Sequence, residues 1–440
     1  MAVESNDTYE RLAPPWRIVL LVSGGLIGVG VPLLISGQTT EAVALALGLV
    51  LMLAAPGRVI LLRAVAETLT SRLGLAAALM FLAWVPSLGL SLSPMHSLAI
   101  WGRSIGLMLA AALIACFFAR SAVARDVAAK ALVIGALGCG ALALIGLAGG
   151  SPLLALFRGQ PFQTFEVVHF VKYYASTVVC LVPVVLFLGH RLGGAWRRSS
   201  WFYPPMALAI GLLLGSGAFV LGLIAAAVVG GLVWLGGLRG LRLPALAVLA
   251  LLVALVLAGL GYMFAHAPPP PSPELIVDGR FDGPIVTTLP LWLVDAHRQQ
   301  IWGFSLQAAL DAPWFGHGLD QSNYVPNADA RITLFNQAFV PGHPHNWLIE
   351  LLVDSGFVGL IATLGALSVL IAYWFGIARN NRLLGAAGLG LTAAYFASSL
   401  LNFSFWLTWW QSEFLVLSAM LIAHAPRSRR AALANQAAQE

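Results

Sequence analysis

The chain has 440 residues, 59% of them hydrophobic and only 10% charged, with a mean hydropathy of +0.87. A soluble domain would carry roughly a quarter charged residues, so a soluble enzyme or binding module is excluded. A membrane β-barrel is excluded as well, because barrel strands alternate polar and apolar residues and the apolar runs here are continuous.

Read in chain order, runs of about 15 to 22 apolar residues, close to the ~20 a helix needs to cross a bilayer, predict an all-α polytopic membrane protein. About twelve spans are expected, near 17–36, 42–56, 74–93, 98–119, 131–148, 173–189, 202–215, 217–235, 244–265, 347–376, 383–401 and 411–425. The first run follows Arg17 and lacks a small-residue cleavage site, so it reads as a span and not as a cleavable leader. This threading leaves Arg103, Arg158, Lys172, Arg280, Arg298 and Arg331 on one side and the other 18 of the 24 basic residues on the opposite side. The basic-rich side is cytoplasmic, which puts both termini there. The net charge of +6 thus reflects topology and gives no reason to expect a nucleic acid partner. Cys116, Cys139 and Cys180 stand singly in apolar runs, a spacing that suits neither a disulfide framework nor a metal site.

Four regions follow: an N-terminal bundle of about nine helices over 1–265, an external loop domain over 266–346, C-terminal spans over 347–425 and a cytoplasmic tail over 426–440. The external loop is the long connection in a chain of otherwise tight ones, and such a loop is where function concentrates. It opens on the stiff Pro268–Pro271 run and turns at Asp278-Gly279 and Asp282-Gly283. From about Leu289 to Leu310 it carries a helical pattern with Trp292, Trp302 and Trp314, suited to a membrane interface. Two further outer segments hold polar groups and are expected to help close a pocket: Ser93-Pro94-Met95-His96, and residues 151–173 with Arg158, His169 and Lys172. No internal repeat is evident.

The loop ends in Gly342-His343-Pro344-His345-Asn346-Trp347, at the mouth of a long apolar helix. Histidine moves protons near neutral pH, and His345 is the candidate general base. His343 and His345, with His317, also have the composition of a zinc site. Pro344 is expected to keep the segment extended and turn the two rings to opposite sides, so no metal is expected. Arg298, with a permanently charged guanidinium that forks onto phosphate oxygens, is the candidate for stabilising a diphosphate. Its bland reading is a surface ion pair with Asp295. Glu350 and Asp354 lie one turn apart in the following helix, placed either to orient His345 or to lock helix ends.

These residues carry a resemblance. His345-Asn346, the following apolar helix and the run Asp354-Ser355-Gly356-Phe357-Val358-Gly359-Leu360 resemble the signature of the O-antigen ligase and polysaccharide polymerase superfamily. Arg298-Gln299-Gln300-Ile301-Trp302, followed by Pro313-Trp314-Phe315-Gly316-His317-Gly318, is similar to that family's outer-loop pattern. The resemblance covers about residues 200–380. It departs in two places. Gly215-Ser216-Gly217 stands where the family carries Ser-Arg-Gly, leaving Lys172, Arg158 or Arg103 to supply the second cation, and Asp354 stands where Glu is commoner.

The resemblance implies an O-antigen ligase of lipopolysaccharide biosynthesis, in the inner membrane of a Gram-negative cell with a periplasmic site. Such an enzyme moves O-antigen polysaccharide from undecaprenyl diphosphate to a sugar hydroxyl of lipid A-core, with inversion and without metal or cofactor. It implies His345 and Arg298 as catalytic groups and Lys172, Arg158, His343, Asn346 and Trp302 as substrate-binding groups, with membrane lipids as the remaining partners. A polymerase or a protein O-oligosaccharyltransferase would share the donor chemistry. A transporter is the alternative of another class. It requires ionisable groups along the spans, whereas here they gather at one surface apart from Glu67, Glu350 and Asp354.

Overall fold

A computed structural model of the chain describes residues 13–149, 152–157, 159, 167–235, 244–269, 273–291 and 294–425. Its helices are α1 (Pro14–Gly30), α2 (Gln38–Ala54), α3 (Arg58–Leu69), α4 (Arg72–Ala83), α5 (Val85–Gly89), α6 (Pro94–Arg120), α7 (Ala122–Gly149), α8 (Pro152–Phe157), α9 (Val167–Leu192), α10 (Gly194–Ser200), α11 (Tyr203–Leu213), α12 (Gly217–Leu235), α13 (Ala245–His266), α14 (Ala296–Asp311), α15 (Trp347–Ala378), α16 (Arg382–Ser398) and α17 (Thr408–Ile422). The architecture is that of an all-α polytopic membrane protein. Among the described residues, seven helical segments are long and apolar enough to cross a membrane, and α2 with α3, bent by 113°, make an eighth if the pair is one span.

Helices stand at the other expected spans but are shorter: 17 residues in α1 and α16, 15 in α17 and 11 in α11. For α16 the reason is visible in its packing. It is almost wholly buried, and it is approached closely by α12, where a Cβ on Gly222 or Gly230 would come within 3.0 Å and 3.2 Å of the carbonyls of Ala394 and Ala386. Small residues at such a crossing let backbones approach, and a helix sheathed in protein need not match the hydrocarbon thickness by itself.

The loop after α13 differs from its expected form. The helix begins at Ala296, capped by Asp295, whose side chain accepts from the Arg298 amide at 2.9 Å. It buries Ile301, Trp302 and Leu306 in a core shared with Phe339, Trp347 and Ile349. Beside it lies a small sheet the sequence did not announce, four two-residue strands in the order β1 (Ile276–Val277), β2 (Arg280–Phe281), β3 (Arg331–Ile332) and β4 (Gln337–Ala338). The β2–β3 pair is parallel, with Arg280 opposite Arg331. Two-residue strands leave no alternation to read.

Glu41 and Glu413 were passed over within apolar runs, yet both are buried, Glu41 accepting from Ser412 Oγ and Glu413 from Thr177 Oγ1, each at 2.7 Å. The ionisable groups of the spans are therefore more than the three named from sequence.

The segment after α14 and the helix bundle are joined at a break in α15. Gly356 has φ +63° and ψ −170°, which interrupts the helical ladder and frees two carbonyls and two amides. The carbonyl of Val353 accepts from the His317 amide at 2.9 Å and that of Asp354 from the Gly318 amide at 3.0 Å. The Phe357 and Val358 amides donate to the carbonyls of Pro313 and Trp314 at 2.8 and 3.2 Å. A Cβ on Gly356 would lie 2.3 Å from the Trp314 carbonyl carbon, and one on Gly316 (φ +66°) 2.4 Å from that of Asp354. The two glycine motifs thus interlock backbone to backbone. Gly356→Ala combines a left-handed φ with a clash against main chain, and should cost at least about 2–3 kcal/mol. The check is the thermal midpoint in detergent, which should fall by several degrees, while Gly376→Ala, with open space around its Cβ, should leave it in place.

Candidate functional site

The site forms where three segments converge: the loop ahead of α15, the N-terminus of α14 and the 399–407 connection between α16 and α17. Asn346 begins α15 as its cap, its side-chain oxygen accepting from the amides of Leu348 and Ile349 at 3.0 and 3.4 Å. The preceding residue, His345, sits at φ +56°, a conformation uncommon outside glycine, and strain of this kind gathers at functional sites. That left-handed residue curls the segment. Contrary to the extended geometry expected from Pro344, the two imidazoles lie on the same side with ring centroids 4.2 Å apart.

Both rings meet one atom. The backbone carbonyl of Asn402 lies 3.2 Å from His343 Nε2 and 3.1 Å from His345 Nδ1. A carbonyl only accepts, so each ring places an N–H there, which leaves His345 Nε2 with its lone pair free. Burial, and then the positive charge of Arg298, push His345 down to about 4. Burial and the neighbouring His345 ring push His343 down to about 3. Both are neutral at pH 7. Since each binds a proton less readily folded than unfolded, the fold loses stability as pH falls from 6.5 through 4 to 3.

Each member of the Arg298–Trp302 run has a distinct task. Arg298 is partly exposed, with Nε 3.4 Å from the Asp295 carboxylate, so the ion pair read from the sequence exists, half in solvent. Gln299 is fully buried; its side chain accepts from the Thr288 and Leu289 amides and donates to the Leu289 and Val294 carbonyls, closing the turn before α14. Gln300 bonds the Val286 carbonyl. Trp302 is 6% exposed, and its Nε1 donates to the Pro344 carbonyl at 3.0 Å. It therefore holds the histidine segment and presents no polar atom to a ligand.

Glu350 and Asp354 make their hydrogen bonds elsewhere than at His345. Glu350 accepts from Ser404 Oγ and, at 2.7 Å, from the Phe405 amide. Asp354 accepts from the Asp320 and Gln321 amides, Ser322 Oγ and Trp406 Nε1. Together they fix the 399–407 connection, whose Asn402 carbonyl orients the histidines, so their action on the site is indirect. That connection went unread in the sequence because its working atom is a backbone carbonyl, which no residue type marks. The Asn402 side chain in turn bonds Ser176 on α9. Lys172, one helical turn before Ser176, is exposed, and its neighbour Tyr173 stacks on Phe403 at 5.5 Å. Lys172 thus borders the same connection, while Arg158 lies outside the described residues.

Below the 399–407 connection an apolar cavity of about 260 Å³ runs between α4, α6, α15 and α17, from Leu73 and Gly74 at one end to Trp84 and Phe405 at the other.

Residues 205–364 match the family model described as O-antigen ligase. The match takes in Arg298, Trp302, His345 and both interlocking glycine motifs. A Rickettsia conorii protein provisionally named a polysaccharide ligase is 28% identical over 134 residues, 29% of this chain and 32% of the relative. A Rickettsia felis protein of the same provisional name is 26% identical over 133 residues, again 29% and 32%. The match spans about a third of the length of these relatives.

Burial, and then the guanidinium of Arg298, disfavour the imidazolium form of His345, so Arg298→Gln should raise the pH at which His345 gains a proton above about 4 while burial still holds it below the ordinary histidine value. Carbethoxylation of the neutral ring, followed by mass spectrometry across pH, measures this directly. An unmoved profile would show that the two side chains do not interact.

Proposed function

We propose that this chain, a member of the O-antigen ligase family by the match over residues 205–364, transfers a polysaccharide from a lipid diphosphate to a sugar hydroxyl at the outer membrane surface. A polysaccharide ligase- or polymerase-type activity accords with both the family and its relatives. The finer assignment is an O-antigen ligase using undecaprenyl diphosphate-linked glycan as donor and lipid A-core as acceptor in the inner membrane. The observation that carries it is the pairing of a neutral His345, with Nε2 open, and the nearby cation Arg298.

In this reading the acceptor hydroxyl attacks the anomeric carbon and gives its proton to His345 Nε2. The bond from that carbon to the diphosphate oxygen breaks, and its electron pair leaves with the phosphate. Arg298 takes up the charge that develops there. Activation already resides in the diphosphate, a good leaving group, so the chain needs only to position, deprotonate and stabilise. One displacement inverts the anomeric centre. His343 and Asn346 shape the segment, Trp302 holds it through Pro344, and Lys172 supplies the second cation from α9. Arg158 is assigned to the same outer rim from sequence alone. The apolar cavity beneath Phe405 suits the hydrocarbon chain of a lipid substrate.

A general base contributes about 10²–10⁴ in rate, so His345→Ala should lower transfer by at least two orders of magnitude with the protein still inserted. In the native host, gel separation of lipopolysaccharide reads the outcome. Loss of the ladder with full-length polymer held on undecaprenyl diphosphate supports the ligase. Accumulation of single lipid-linked repeats makes the chain a polymerase. An unchanged ladder removes His345 from the chemistry. Lys172→Ala should weaken donor use with a smaller effect on turnover.

A further inference from the structure

A second cluster of polar side chains lies away from the histidine pair, where α6 meets the loop after α14. His96 Nε2 is 3.1 Å from Asp320 Oδ2, and the ring of Tyr324 lies 5.8 Å from that of His96. The His96 and Asp320 side chains are 37% and 29% exposed, and Tyr324 is 53% exposed. Among the described residues, His96 Nδ1 and Asp320 Oδ1 enter no hydrogen bond, so a donor–acceptor pair and an aromatic face are open together.

A simple staple between helix and loop does not account for the pair. That staple already exists: Ser97 Oγ donates to the Leu319 carbonyl at 2.9 Å and the Leu92 amide to the His317 carbonyl at 3.0 Å. A part-exposed side-chain contact of this kind adds little stability. Asp320 moreover holds φ +58°, and its amide is fixed on the Asp354 carboxylate at 3.1 Å. The dyad is thus built on rigid backbone. Its surroundings also restrict what it can bind. The guanidinium of Arg103 acts on Asp320 and disfavours a metal cation, while the Asp320 carboxylate disfavours an anion. A neutral ligand rich in hydroxyls fits, with vicinal hydroxyls on the Asp320 oxygen and the His96 nitrogen and the ring face against Tyr324.

We propose that His96, Asp320 and Tyr324 form a carbohydrate subsite. It rests on the reading that the chain transfers a glycan between lipids. Asp320 is tied to Asp354, eight residues along α15 from Asn346, so its anchor stands roughly 12 Å along the helix axis from the start of the helix that the histidine pair precedes, at 1.5 Å per residue. That is the reach of a short oligosaccharide, and the sugar belongs either to the acceptor core or to the donor glycan.

The test uses the full chain in nanodiscs with lipid A-core and lipid-linked polysaccharide. In transfer assays Asp320→Asn and His96→Ala should raise the KM of one substrate by about tenfold or more, the loss of a charged hydrogen bond, with kcat nearly kept and an unchanged thermal midpoint. A rise confined to lipid A-core places the acceptor there, and a rise confined to the lipid-linked glycan places the donor. Unchanged KM for both overturns the subsite. Native mass spectrometry of each lipid on His345→Ala, Asp320→Asn and His96→Ala protein separates this from the chemistry. The subsite requires the His345 variant to retain both lipids and the other two to lose one. Equal retention by all three overturns the subsite, whether or not transfer occurs.

Discussion

The interruption of α15 at Gly356 is the constraint on which the remaining architecture depends. A helix that breaks near the membrane strands carbonyls and amides that water does not reach cheaply, and these must find partners. Here the partners are the amides of His317 and Gly318 and the carbonyls of Pro313 and Trp314. The segment after α14 therefore completes α15; it is not an appendage hung between two helices. From the same break Asp354 reaches amides of the loop after α14 and the indole of Trp406, and Glu350 one turn earlier takes Ser404 and Phe405. Three segments distant in sequence are thereby set in one register, and the Asn402 carbonyl that orients both histidines follows from it.

The electrostatics at that carbonyl bear on the chemistry. Two imidazoles donating to one oxygen are held as defined neutral tautomers, and burial, with the guanidinium of Arg298 adding to it, keeps His345 from accepting a proton until about pH 4. Such a ring is a weak base on its own. Its basicity rises when an anion occupies Arg298, because the cation that opposes the imidazolium is then compensated. Binding of a diphosphate would thus strengthen the base it works beside, coupling donor occupancy to acceptor activation with no moving part.

Much of this arrangement was legible in the sequence. Continuous apolar runs gave the polytopic all-α class, and the His345-Asn346 and Arg298–Trp302 runs named the segments that converge. Their individual tasks were less legible. The resemblance implied Trp302 as a substrate-binding group, and its indole N–H is engaged by the Pro344 carbonyl, a contact no sequence pattern marks. The rings of His343 and His345 were expected apart, since proline restricts its predecessor and nothing in the letters marks a left-handed histidine. Asn402 was invisible because it acts through main chain. Glu41 and Glu413 were submerged in hydrophobic windows, and only the three-dimensional pairing with Ser412 and Thr177 explains how the bundle tolerates them.

The arginine that the resembled pattern carries and this chain lacks can be weighed by charge. The turn at Gly215–Gly217 opens α12, and one turn further on Gly222 packs against Ser398 and the carbonyl of Ala394, so a cation there would have faced the end of α16 that leads to Asn402. Of the described cations near that connection, Arg103 donates to the Trp406 carbonyl and interacts with Asp320, on the α6 side. Lys172 stands on α9, beside the turn that bonds Asn402 through Ser176, and its ammonium is exposed. A lysine is a point charge without the planar fork of arginine, so it neutralises a phosphate without fixing its orientation. Under the proposed transfer, orientation of the phosphate would fall to Arg298, which is anchored at the first turn of α14 by Asp295 and by the buried Gln299 beside it. That reading gives a purpose to the four hydrogen bonds of the Gln299 side chain, which fix the helix start that carries the guanidinium.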